Sequence, residues 1–148
     1  MENINIHIAD ISNIDDIEKI EKELYNRNLS YNSLLNDLSN PNCYYIVANI
    51  DSKIVGYAGI ELLVDHADIT AVAVDNRFKR MGIATFLLNN IFLKCKELKM
   101  DKIFLEVRSS NTPAKNLYEK LGFNKISTRK KYYENVEDAD IYVKDLEY

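Results

Sequence analysis

Along this 148-residue chain the period of the hydrophobic pattern switches repeatedly between two and about 3.6 residues, and that alternation is the tightest constraint on its fold. Ile4, Ile6 and Ile8 alternate with polar neighbours, as in a half-buried strand. Ile14, Ile17, Ile20 and Leu24 then recur at helical spacing, and Ser12 followed by Asp15 reads as the capping box that opens this helix. A second short helix is expected over Tyr31 to Leu38, with Leu34, Leu35 and Leu38 inward and Pro41 ending it. Residues 44–50 and 54–63 read as strands joined through Asp51-Ser52-Lys53 into a hairpin, and 68–74 (DITAVAV) as a further strand. Ala84, Leu87, Leu88, Ile91, Cys95 and Leu98 mark one face of a helix that begins near Gly82. Residues 102–107 (KIFLEV) are strand-like, and Asn111 to Leu121 helical, with Pro113 in the first turn and Gly122 just past the end. Two final strands are expected at 123–128 and 139–146. The order β-α-α-β-β-β-α-β-α-β-β predicts a mixed α+β sheet in one domain over residues 1–148.

Composition narrows the function classes. Hydrophobic residues make up 47% and charged residues 28%, the profile of a folded protein. The formal net charge of −4 argues against a general nucleic-acid coat, yet it hides an asymmetry. Residues 1–74 hold 4 basic and 12 acidic side chains, whereas residues 77–131 hold 14 basic and 4 acidic. A basic segment of that kind suits an anion, although a solvated lysine-rich helix face accounts for charge alone equally well. The start, MENINIHIAD, lacks the basic beginning and apolar stretch of a signal peptide, and no apolar run is long enough to span a bilayer, so a cytoplasmic protein is expected. Cys43 and Cys95 lie far apart without a CxxC pattern and read as buried hydrophobes. His7 and His66 are isolated, so no metal site is expected.

The stretch Ala71–Thr85 (AVAVDNRFKRMGIAT) carries the first chemistry. A strand runs out, a basic loop follows, and a helix begins at a glycine. Backbone N–H groups at a helix N-terminus have no intrahelical acceptor and carry partial positive charge, so they receive phosphate well. Gly82 lets the backbone approach such a ligand without a Cβ in the way, and Arg77, Lys79 and Arg80 add positive charge.

That stretch resembles the acetyl-CoA-binding signature of the GNAT N-acetyltransferases, Gln/Arg-x-x-Gly-x-Gly/Ala after an "AVDP"-like strand end. Here Val72-Ala73-Val74-Asp75 ends the strand, Asn76 stands in place of the usual Pro, and Lys79 departs from Gln or Arg at the first motif position. The second family pattern, Asn-x-x-Ala-x-x-Leu-Tyr-x-x-x-Gly-Phe, is met at Asn111, Ala114, Leu117, Tyr118, Gly122 and Phe123. The opening Leu105-Glu106-Val107-Arg108 and the tail Arg129-Lys130-Lys131-Tyr132-Tyr133 with Glu137-Asp138-Ala139 resemble the RimI-like branch, the ribosomal-protein-alanine N-acetyltransferases. Asn28-Leu29-Ser30-Tyr31 departs from that branch's Pro-Trp-Ser segment.

The resemblance implies the GNAT acyl-CoA N-acyltransferase fold, a twisted, mostly antiparallel mixed sheet of about seven strands flanked by about four helices. It implies acetyl transfer from acetyl-CoA to a protein N-terminus, with the N-terminal alanine of ribosomal protein S18 as acceptor, in a ternary complex and without a membrane or nucleic-acid partner. Glu106 is then the general base and Tyr118 the general acid. Val72, Ala73 and Val74, the loop and helix start Lys79, Arg80, Met81, Gly82, Ile83, Ala84 and Thr85, and Asn111 bind the cofactor, with a backbone N–H near Val74 holding the oxyanion. Tyr132 and Tyr133 bind the acceptor peptide. Read alone, Glu106 is a carboxylate among apolar neighbours, a setting that suits a general base, or one paired with Arg108 or another cation. Read alone, Tyr118 is a core residue on the apolar face of its helix. The rival functions are a GNAT enzyme acting on a small amine or lysine side chain, a catalytically silent CoA-binding module, and an RNA-binding domain, which lacks an aromatic platform here.

Overall fold

A computed structural model describes residues 3–25, 31–133 and 137–147 of the chain; the departing segment 28–30 lies outside them. Seven strands form one sheet: β1 (Ile4–Ile8), β2 (Cys43–Ile50), β3 (Lys53–Leu62), β4 (His66–Val74), β5 (Lys102–Arg108), β6 (Asn124–Tyr133) and β7 (Glu137–Asp145). Four helices accompany them: α1 (Ile14–Tyr25), α2 (Tyr31–Ser39), α3 (Ile83–Glu97) and α4 (Thr112–Lys120). The element order is the one the periodicity predicts, with short 3₁₀ turns added at Ile11–Asn13 and Asn76–Phe78. The strands lie in the order β1-β2-β3-β4-β5-β7-β6. Only β4 and β5 run parallel; the other neighbours are antiparallel.

Two expectations are corrected. The capping box belongs to Asp10 and Asn13, not to Ser12 and Asp15: Asp10 accepts from the Ser12 N–H, and the Asp10 N–H donates to Asn13 Oδ1 at 2.9 Å. The chain enters through a 3₁₀ turn, so the cap falls two residues earlier than a direct α start places it. The last hairpin is also longer than its apolar pattern, because β6 and β7 reach Tyr133 and back to Glu137. β6 is an edge strand with three lysines and an arginine, and such a strand shows little alternation.

The sheet buries both faces. On one, Ile14, Ile17 and Ile20 of α1 and Leu34 of α2 pack with Val47, Tyr57 and Ala73. On the other, Ile83, Leu87, Leu88 and Ile91 of α3 pack with Val55, Ala67, Ile103, Leu105 and Val107, and Leu117 and Tyr118 of α4 join them. Strand alternation therefore sends Glu106 to the α1/α2 face, since its neighbours Leu105 and Val107 belong to the α3/α4 core.

Two irregularities open the sheet between β4 and β5. Their parallel pairing is confined to His66–Asp68 against Lys102–Phe104, after which the strands part. On the other side of β4, Gly59 pairs with Ala71 and Ile60 with Ile69, so Thr70 is an extra residue, a β-bulge. The bulge changes the parity of the strand: Ile69 and Val72 both pack toward α3, while Ala71 and Ala73 pack toward α1. β3 approaches this region closely, because a Cβ on Gly56 would stand 2.9 Å from the Ala73 carbonyl oxygen.

Candidate active site

Where β4 and β5 part, a cleft of about 1040 Å³ opens. Of the predicted site residues, Val72, Glu106, Asn111, Tyr118 and Tyr132 line it. They reach it from both sides of the sheet. Glu106 comes from the α1/α2 face, whereas Tyr118 comes from α4, packed with the α3 core and edge-on to the Phe123 ring at 5.8 Å. The divergence of the strands lets these two side chains share one space.

Glu106 is half-buried, and its carboxylate lies 3.4 Å from the Arg129 guanidinium. The ion pair is thus with β6 and not with Arg108, which pairs instead with Glu137 at 3.1 Å. Arg129 is 54% exposed, so this is a solvent-screened contact worth about 0–1 kcal/mol. The Arg129 guanidinium also covers the Tyr132 ring at 5.1 Å. Glu106, Arg129 and Tyr132 therefore make one wall of the cleft.

Asn111 caps α4, its Oδ1 accepting from the Ala114 N–H at 3.3 Å. The position puts it at both the cleft and the start of the helix that carries Tyr118. The backbone of Tyr133 ends β6, and its side chain lies outside the described residues.

Ala73 and Val74 are buried and contribute backbone. Asp75 N–H donates to the Val55 carbonyl of β3 at 2.8 Å. Successive N–H groups along a strand point to opposite sides, so the Val74 N–H points away from β3, toward the gap beside β4.

The segment Lys79–Thr85 does not line the cleft; it lies beyond the end of β4, at the start of α3. Gly82 is the N-cap, in a left-handed conformation at φ 79° and ψ 12°, and the helix's first bond runs from Phe86 N–H to the Gly82 carbonyl at 3.0 Å. The N–H groups of Ile83, Ala84 and Thr85 thus precede any intrahelical acceptor and face outward from a 15-residue helix. Lys79, Arg80 and Met81 are exposed around that end. Arg77, expected to add charge here, is committed elsewhere: its guanidinium closes on Asp75 at 2.7 Å and holds that carboxyl down at about 2. An anion end at α3 and a reaction end at the β4–β5 gap, joined by the backbone of β4, fit a long thioester with a diphosphate at its far end.

The cleft also holds residues that nothing in the local sequence marks as functional. Glu21 and Leu24 of α1, His66, Asp68 and Thr70 of β4, and Arg129 of β6 all line it. Asp68 and Thr70 sit in a segment that reads as a strand, but nothing in the residue types marks Thr70 as a bulge.

The model of the Acetyltransferase (GNAT) family matches residues 9–123. An N-alpha-acetyltransferase of Sulfurisphaera tokodaii is 32% identical, over 90% of this chain and 88% of that protein. A putative ribosomal protein bS18-alanine N-acetyltransferase of Bacillus subtilis is 34% identical, over 87% of each. Among solved structures, the ribosomal-protein-S18-alanine N-acetyltransferase of Escherichia coli superposes with a TM-score of 0.90 at 24% identity, covering 98% of this chain and 95% of that one. The chain belongs to the GNAT family and is an acetyl-CoA-dependent N-acetyltransferase.

Proposed function

We propose that this enzyme acetylates the α-amino group of a protein N-terminus, with the N-terminal alanine of ribosomal protein S18 as acceptor, in the cytoplasm. The observation that carries the reading is the meeting of Glu106 and Tyr118 in one cleft from opposite faces of the sheet. The names of the archaeal and Bacillus relatives support the same class of acceptor.

The α3 end takes the diphosphate of acetyl-CoA through the N–H groups of Gly82 to Thr85, with Lys79 and Arg80 adding charge. The pantetheine follows β4 past Val72 to Val74 and Asn111, and the thioester reaches the β4–β5 gap. The acceptor enters from the α1/α2 side along Tyr132 and Tyr133. Glu106 takes a proton from the α-ammonium, directly or through a water. That removal is easier from an α-ammonium, with a pKa near 8, than from a lysine near 10.4. The neutral nitrogen attacks the thioester carbonyl, and the Val74 N–H receives the oxyanion. Collapse breaks the C–S bond, Tyr118 gives its hydroxyl proton to the departing thiolate, and the second proton of the attacking nitrogen passes to the Tyr118 phenolate, directly or through a water. No acyl-enzyme is needed.

Gly82→Ala tests the cofactor end. A Cβ there stands against the incoming diphosphate, and the left-handed backbone costs about 1–2 kcal/mol in strain. The acetyl-CoA KM is expected to rise roughly tenfold with kcat little changed. An unchanged KM places the diphosphate elsewhere.

The acceptor is tested by incubating the enzyme and acetyl-CoA with hexapeptides beginning Ala, Ser or Met, and with an acetyl-Ala peptide carrying an internal lysine. Mass spectrometry is expected to find the acetyl group on the Ala-peptide N-terminus. Acetylation of the lysine alone moves the enzyme to the side-chain reading.

A further inference from the structure

Glu21 is the one buried acid lining the cleft, among the described residues, to which the mechanism gives no task. It lies on α1, is 3% exposed, and its Oε1 accepts from the hydroxyl of Tyr57. Tyr57 is itself fully buried in β3 and pairs with Ala73 of β4, one residue from Val74. The tyrosine therefore fixes the carboxylate from below, at the level of the sheet where the thioester is placed. The neighbouring acids Glu18 and Glu23 do not line the cleft.

At 3% exposure the carboxyl group is little screened by solvent, so a cation brought into the cleft is drawn toward it. The acceptor amine arrives as a cation and leaves as a neutral amide. Glu21 shares the α1/α2 side of the sheet with Glu106, the side assigned to the acceptor.

We propose that Glu21, oriented by Tyr57, is the anchor for the acceptor's α-ammonium: it binds the charged amine before deprotonation and loses its hold on the acetylated product. This rests on the N-terminal reading above. Glu21 then acts as a positioning residue and Glu106 as the base. The nitrogen becomes cationic again as the C–N bond forms, so the contact persists into the transition state, and uniform binding of that kind lowers KM and leaves kcat largely alone.

The test is steady-state kinetics of Glu21→Gln with the Ala-hexapeptide between pH 6.5 and 9. Glutamine keeps the volume and still accepts from Tyr57. At pH 6.5–7 the peptide KM is expected to rise about tenfold, with the acetyl-CoA KM and kcat within about twofold. Above the amine's own pKa, near 8, the acceptor is neutral and the gap between variant and parent closes. Tyr57→Phe moves the peptide KM the same way by a smaller factor. As a second readout, the N-acetylated hexapeptide is tested as an inhibitor and binds parent and variant alike. An unchanged peptide KM overturns the proposal, as does a KM gap constant across pH or a loss confined to kcat. If the parent enzyme leaves peptide N-termini untouched, the N-terminal reading falls first and the anchor with it.

Discussion

Glu106→Gln is expected to lower kcat/KM for a peptide N-terminus by about 10²–10³-fold at pH 7, with the acetyl-CoA KM and Tm nearly unchanged. The magnitude is that of a positioned general base. The fold is spared because the group is half-buried and its ion pair with Arg129 is screened. The same pair supplies the competing explanation, in which Glu106 merely orients Arg129 and through it Tyr132. Arg129→Met separates the two. If Glu106 served only the ion pair, both variants would lose the same activity. A base predicts that Glu106→Gln falls far below Arg129→Met. It also predicts that raising pH toward 9 narrows the deficit, since an α-amine above its pKa near 8 needs no base. Kinetics of both variants across that range decide the matter.

The parts of this site legible in the sequence are those whose chemistry is local. The Gly82 helix start needs only a strand end, a glycine and the apolar periodicity that follows, and it stands in the structure with the left-handed cap that glycine tolerates best. Asn111, Pro113 and Gly122 bound α4 by short-range rules. Tyr118 is ambiguous in the sequence for a physical reason: it packs against the core beside Phe123, and it also lines the cleft. One face of a helix can do both where the core ends at a cleft. What stayed hidden depends on long-range encounters. Glu21 sits in a helix with acids at Asp15, Asp16, Glu18 and Glu23, and only the approach of Tyr57, 36 residues on, sets it apart. Thr70 looks like any strand threonine, yet it is the bulge that sends Val72 and Ile69 to the same face. Arg129 belongs to the tail Arg129–Tyr133 in the sequence, and its contact with Glu106 depends on β7 lying between β5 and β6.

The largest stability loss is expected at Asp140, a residue with no part in the chemistry. It is 1% exposed in β7, and its carboxylate gathers groups from three other segments. Lys115 of α4 lies at 2.8 Å, the Ser109 hydroxyl after β5 at 2.8 Å, the Thr128 hydroxyl of β6 at 3.1 Å and Lys125 at 3.5 Å. Lys115 also donates to the Ser109 carbonyl at 3.1 Å, closing the turn that presents Asn111. Asp140→Asn keeps the volume but sets a neutral amide against the Lys115 ammonium. Removing one partner from a buried pair costs about 3 kcal/mol or more, a fall in Tm of roughly 10 °C for a chain of this size. The pH dependence has a definite sign. Lys115 first, then the two hydroxyls, outweigh burial and hold the Asp140 carboxyl down at about 2, below its ordinary 3.8. A carboxyl depressed in the folded state contributes its stability in full above the unfolded value and loses it as pH falls through the folded one. The Tm gap between parent and Asp140→Asn is therefore expected to hold steady from pH 7 to about 4 and to close toward pH 2. A gap that stays open at pH 2 would assign the loss to packing, and a small gap at pH 7 would mean that the two lysines are satisfied by water. Because the same network seats α4, the variant should also lose kcat through a displaced Tyr118 and some acetyl-CoA affinity through a displaced Asn111, while the diphosphate grip at Gly82 is kept.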